Sequence, residues 1–184
     1  MADYCKCPPC GGMTGTEDKG KRTVRLKFMR SQLLYDIKNY AYVEADVMGE
    51  DKQHAQHVTA DIGEPGNVDR VSRILAVVHA EVIELLYPYT KTAPIEEEID
   101  DNLIAPESYV VEMHVPQRMS RTTMHLLARL IHEYMVYRVL ADWLSITWPD
   151  AAEGWAARAQ VARETIEEAK SMRMKTFTRA THPW

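Results

Sequence analysis

Three residues with reactive side chains lie close together near the N-terminus: Cys5, Cys7 and Cys10. Thiolates at this spacing can share a zinc ion if a fourth ligand, such as His54 or His57, joins them. Structural zinc sites usually combine two C-x-x-C pairs, or one such pair with two spaced histidines, and the second half of that pattern is missing here. We therefore favour a flexible basic arm over residues 1–22 and keep the cysteine cluster as a secondary metal candidate.

Two histidines, His125 and His132, share one face of a long predicted helix, and Glu133 follows the second. Di-iron bundles carry Glu-x-x-His pairs on two helices, and this chain has no such pair. The sequence also has no Gly-rich phosphate loop, no G-x-S-x-G elbow and no H-E-x-x-H motif. We predict that the chain is not an enzyme, that it holds no cofactor, and that these histidines belong to a polar stripe.

The long helix spans residues 119–149 and is the longest unbroken helical pattern in the chain. Its apolar positions recur every three or four residues and cover more than half of the helix circumference, which predicts neighbours on several sides. These positions are Leu126, Leu127, Leu130, Ile131, Tyr134, Met135, Val139, Leu140, Trp143, Leu144 and Ile146. Arg121 and Arg129 lie on the narrow polar side, where we expect a neighbouring subunit. Pro149 ends the helix because its ring removes a donor and clashes with the preceding turn.

Three further helices are predicted: one over about residues 29–49, one from Asn67 to Pro88, and one that begins at Asp150. Asn67 and Asp150 are suitable N-caps. The first helix has an apolar side at Leu33, Leu34, Ile37, Tyr40, Ala41 and Val47. The last has a narrow seam of mostly small residues at Ala152, Trp155, Ala159, Ala162, Ile166 and Ala169. Residues 50–66 are rich in turn formers, so we predict an irregular connection there.

Alternating apolar residues predict one strand over residues 109–115. The acidic run at 95–104 is a suitable partner in a β-hairpin, and residues 23–28 form either a short strand or an extended lead-in. The predicted fold class is mainly α: a four-helix bundle with a β-hairpin inserted at about 93–116 and a flexible arm at each end. One helical domain would cover residues 23–172, between the arms 1–22 and 173–184.

The charges are segregated along the chain, although the net charge is only −5. The N-terminal arm is basic, and an acidic cluster follows at Glu96, Glu97, Glu98, Asp100 and Asp101. The C-terminal arm combines cations with large apolar groups at Arg173, Lys175, Phe177, Arg179 and Trp184. Such segregation suits layered or head-to-tail association, and three separate solvated faces are an equal alternative. We expect that deleting residues 173–184 leaves the fold intact and abolishes assembly.

The size and hydropathy of the chain predict one domain with a real core, since it has 184 residues of which 46 % are hydrophobic. There is no run of about 18 apolar residues and no charged-then-apolar leader. We therefore expect no membrane contact and a cytoplasmic start.

Several segments carry a resemblance to a known family. They are the strand region from Tyr109 to Ser120, the motifs His132-Glu133-Tyr134 and Thr147-Trp148-Pro149, and the runs at 86–91 and 138–144. In these the chain resembles small, mostly helical proteins of the structural gene block of phages and prophages from gut Bacteroidota. The resemblance covers about residues 30–170, is one of pattern, and transfers no residue-level motif.

The architecture is also similar to the head-completion and adaptor proteins of tailed phages. This resemblance implies a homo-oligomeric ring, of twelve copies, in the neck of the virion, assembled in the cytoplasm of the bacterial host. The C-terminal arm would contact the portal protein, and the hairpin would meet neighbouring neck or tail proteins. The clustered cations of the N-terminal arm suit non-specific contact with DNA in the channel. The alternative is a small metal-binding or nucleic-acid-associated helical protein that uses the cysteine cluster.

Overall fold

The computed structural model describes residues 20–49, 52–92 and 104–172. Two strands and five α-helices occupy this part of the chain, with a short 3-10 turn at Asp61–Gly63. In order they are β1 Lys21–Met29, α1 Arg30–Val47, α2 Gln53–Ala60, α3 Pro65–Leu85, β2 Ser108–Pro116, α4 Arg121–Thr147 and α5 Pro149–Ser171. The predicted class, mainly α, is confirmed.

Helix α4 lies at the centre and contacts α1, α2, α3 and α5. It begins after Ser120, whose Oγ accepts a hydrogen bond from the backbone N–H of Thr123 at 3.0 Å. Such an N-cap satisfies one of the free donors of the first turn. The helix ends at Thr147, shortly before Pro149 as predicted, and Pro149 is the first residue of α5. The prediction that Asp150 is the N-cap of α5 is therefore wrong, because Trp148 holds that position.

The predicted seam of α5 is confirmed, since all six of its residues are buried: Ala152, Trp155, Ala159, Ala162, Ile166 and Ala169. Only Trp148 separates α4 from α5, so the two helices form a helical hairpin. The small side chains of the seam let α5 approach its neighbours closely.

The strand predicted at 109–115 is also confirmed, as β2. Strand β2 pairs with β1 in an antiparallel ladder in which Leu26 lies opposite Val111 and Arg25 opposite Glu112. Both strands alternate apolar and polar residues, so in this register they bury one common face at Leu26, Phe28, Tyr109, Val111, Met113 and Val115. Strand β1 thus occupies one edge of β2; the acidic run predicted as the hairpin partner, at 95–104, lies almost wholly outside the described residues, so that pairing stays a prediction.

The connection predicted as irregular contains a regular element, α2. Its Thr59 and the following Ile62 are both buried, so tertiary packing outweighs the turn-forming composition. Helix α3 then begins at Pro65, whose fixed φ suits the first helical position. Asn67 is thus not the N-cap; its side chain instead donates a hydrogen bond to the Asp61 carbonyl oxygen at 2.8 Å.

The two ends of the described chain lie on one side of the molecule. Gly20 and Met172 line the same hollow, beside the turn that follows β2. Gly20 and Met172, the two ends of the described chain, are therefore close to each other. Within the described ranges, no helix has the length and hydropathy needed to span a membrane.

Candidate functional site: an exposed aromatic and apolar face

Three stripes of partly exposed residues lie side by side on α1, α4 and α5. The stripe on α1 follows helical spacing through Asp36, Tyr40, Val43 and Val47, and the stripe on α4 through Leu126, Leu130, Glu133 and Tyr137. The stripe on α5 contains Arg158, Val161 and Thr165. We call this surface the α1–α4–α5 face.

Its centre is a cluster of three aromatic rings, one from each helix. The ring centroids of Tyr40 and Trp155 are 5.3 Å apart, and those of Tyr137 and Trp155 are 5.5 Å apart. The guanidinium of Arg158 lies over the Trp155 ring at 4.4 Å from its centroid. Trp155 Nε1 donates to the Glu44 carboxylate at 2.9 Å, so the buried indole has a hydrogen-bond partner. The rings are therefore held in a defined arrangement while Tyr40 remains exposed.

An apolar groove runs beside this cluster, between α4 and α5. Its volume is about 370 Å³, and its lining residues are Leu130, Glu133, Tyr137, Ala157, Arg158, Val161, Ala162 and Thr165. We call it the α4–α5 groove. Val161 is 62 % exposed at its edge, and on α1 the side chains of Val43 and Val47 are 53 % and 72 % exposed. Tyr, Trp and Arg are the residues enriched in the centres of protein interfaces, so this composition is typical of a partner-binding surface.

A hydrogen bond between α1 and α4 fixes one edge of the face. Asp36 Oδ2 lies 2.8 Å from His132 Nε2, and both side chains are about three-quarters buried. His132 was predicted to belong to the outward polar stripe of α4. The structure instead directs it towards α1, where it holds the two helices in register.

A second groove, of about 720 Å³, lies between α3 and α5 and is polar. Glu81 accepts a hydrogen bond from the Tyr134 hydroxyl at 2.9 Å and one from Arg138 at 3.4 Å. Burial raises the pKa of Tyr134, and the hydrogen bond and negative charge of Glu81 raise it further. Lys170 Nζ donates to the Leu85 carbonyl oxygen at 2.6 Å, at the C-terminal end of α3. These bonds join α3, α4 and α5 to one another.

The predicted site residues on α4 are both exposed. Arg121 and Arg129 lie eight residues apart on one side of the helix. Arg129 neighbours Leu126 and Glu133 by helical spacing, so it borders the α1–α4–α5 face. The remaining predicted site residues lie outside the described residues: Cys5, Cys7, Cys10, Glu96, Glu97, Glu98, Asp100, Asp101, Arg173, Lys175, Phe177, Arg179 and Trp184.

The histidines considered as a fourth zinc ligand lie on α2. His54 is exposed, and His57 Nδ1 is 2.6 Å from Asp61 Oδ2. Across the described ranges, no group of three or more His, Cys, Asp or Glu residues is arranged to hold a metal ion.

Sequence reasoning assigned several residues of the face to the core. Tyr40, Val47 and Leu126 on the face, and Ile146 elsewhere on α4, were predicted to face inward, and each is 40 % exposed or more. The signal that could have found them is the width of the apolar pattern on α4, which exceeds what the surrounding helices cover.

Comparison of the chain with protein-family models, with curated protein sequences and with solved structures finds no match.

Proposed function

We propose that this protein is a structural subunit that associates with copies of itself through the α1–α4–α5 face. The assembly is a ring in the neck of a tailed phage, of twelve copies, which connects the portal and capsid to the tail. The helical bundle is its rigid part, and the arms at each end reach the portal protein and the neighbouring neck or tail proteins. It is built in the host cytoplasm and remains in the virion.

The observation that carries this proposal is the aromatic and apolar face itself. Fully burying a valine-sized side chain contributes about 1.5–3 kcal/mol, so covering the exposed parts of Val43, Val47 and Val161 contributes roughly 3–5 kcal/mol. Association costs at least about 4 kcal/mol in lost freedom. The valines alone barely offset this cost, so a stable contact must also cover Tyr40, Tyr137 and Arg158.

The charges at the border of the face support contact between unlike surfaces. Arg129 is exposed there, and the chain contains a cluster of opposite sign at residues 96–101. In a ring each subunit presents two different surfaces to its two neighbours, so cations on one and carboxylates on the other favour head-to-tail contact.

The test compares two valines of equal exposure on different faces. Val161 on α5 is 62 % exposed and Val77 on α3 is 61 % exposed. We expect Val161→Glu to weaken self-association at least tenfold, because an unpaired carboxylate would be buried in the contact, and Val77→Glu to leave it unchanged. Light scattering after size exclusion and native mass spectrometry measure the oligomer, and electron microscopy shows whether it is a ring. A parent protein that stays monomeric, alone and with portal protein, would refute the proposal.

A further inference from the structure

The α4–α5 groove is one part of the α1–α4–α5 face, and it can hold one large side chain. Leu130, Tyr137 and Val161 line its apolar part. Charged groups of both signs border it: Glu133 and Arg158 line the groove, and Glu168 continues the α5 stripe one turn beyond Thr165. A fitting segment would therefore carry an aromatic anchor, with cations placed towards Glu133 and Glu168 and away from Arg158.

The C-terminal segment of this chain has that composition. Residues 173–184 include Phe177 and Trp184, and the cations Lys175 and Arg179 lie two residues to either side of Phe177. The aromatic ring would fill the apolar part, and the two cations would lie near the carboxylates of Glu133 and Glu168.

The geometry at the end of α5 decides whether the segment comes from the same copy or from another. Val161 precedes Met172 by eleven residues on α5, which corresponds to about 16 Å. Phe177 follows Met172 by five residues, and five extended residues span at most about 18 Å. Met172 ends α5 with extended backbone angles, φ −65° and ψ 125°. To contact Val161 of its own copy, Phe177 would need these five residues to run almost fully extended back along α5, with none of them used for the reversal.

We infer that the α4–α5 groove receives the C-terminal segment of a neighbouring copy, with Phe177 seated against Leu130, Tyr137 and Val161. This inference rests on the proposed self-association and names the segment that makes the contact. Each copy donates one segment and accepts another, which is the head-to-tail arrangement that closes a ring.

Cross-linking between two differently marked copies tests the inference. Cys5, Cys7 and Cys10 are first changed to Ser in both copies, and circular dichroism and the oligomer mass are checked against the parent. One copy then carries Val161→Cys and the other Phe177→Cys. We expect a disulfide-linked heterodimer under mild oxidation, identified by peptide mass spectrometry. The control, Val77→Cys in place of Val161→Cys, should give at least tenfold less product.

A second measurement uses mixing. Val161→Glu removes the seat and Phe177→Ala removes the anchor, so each variant alone should be monomeric. Their mixture keeps one intact contact and should form a heterodimer that grows no further. Copies that still associate without forming the cross-link would overturn the inference and leave the proposed function standing. A disulfide within one chain that carries both Val161→Cys and Phe177→Cys would also overturn it. A parent protein that stays monomeric, alone and with portal protein, would refute both.

Discussion

Replacing Ala169 by leucine tests how closely α5 packs against the rest of the molecule. Ala169 lies in the seam of α5 and is fully buried. Alanine and leucine are both good helix formers, so the change in the free energy of unfolding reports packing. In open space, burying the three added carbon atoms would contribute about 0.8 kcal/mol each. Because the position is closed, these atoms must displace their neighbours, which costs about 1–3 kcal/mol.

The control for this substitution is Ala156→Leu, which adds the same atoms at an exposed position on the same helix. Its effect should lie within about 0.5 kcal/mol of zero. Urea denaturation followed by circular dichroism measures both variants, at a concentration where the parent is monomeric. We expect Ala169→Leu to lower the midpoint with an unchanged slope, and to lower the Tm by about 2–4 °C for each kcal/mol lost. Equal stability of the two variants would show that the seam is not closely packed.

Two further predictions concern titratable groups. His79 donates from Nε2 to the Val110 carbonyl oxygen at 3.0 Å. Burial lowers the pKa of His79 below its ordinary value of 6.5, and this effect is larger than the opposite effect of the hydrogen bond, which raises the pKa. The unfolded chain therefore takes up the proton more readily, so this contribution to stability is present above pH 6.5 and is lost as the pH falls through the pKa of the folded state. We expect the urea midpoint of His79→Gln to change less with pH between 7.5 and 5 than that of the parent. The same pH dependence in both proteins would contradict the assignment. Glu81→Gln should lower the pKa of Tyr134, measured by spectrophotometric titration, while burial keeps that pKa above its ordinary value. A pKa equal to that of the parent would show that the 2.9 Å hydrogen bond between the two residues is absent.

The sequence by itself determined the elements that depend on local pattern. The three-and-four spacing predicted α1, α3, α4 and α5, and the alternation at 109–115 predicted β2. The apolar pattern placed the start of α4 near residue 119, and Pro149 marked its end. These predictions succeed because periodicity and the restraints of proline act between residues that are close in the chain.

Only the tertiary structure decided how these elements meet. The pairing of β1 with β2 joins distant parts of the chain, and many segments share the alternation that permits it. Helix α2 forms where the local composition favours turns, because Thr59 and Ile62 are buried in the folded chain. The exposure of Tyr40, Val47 and Leu126 depends on how much of α1 and α4 the other helices cover. An apolar pattern shows that burying a residue is energetically favourable, but the partner that buries it is fixed only when the helices pack. On the α1–α4–α5 face, that packing leaves exposed the aromatic surface on which the proposed assembly depends.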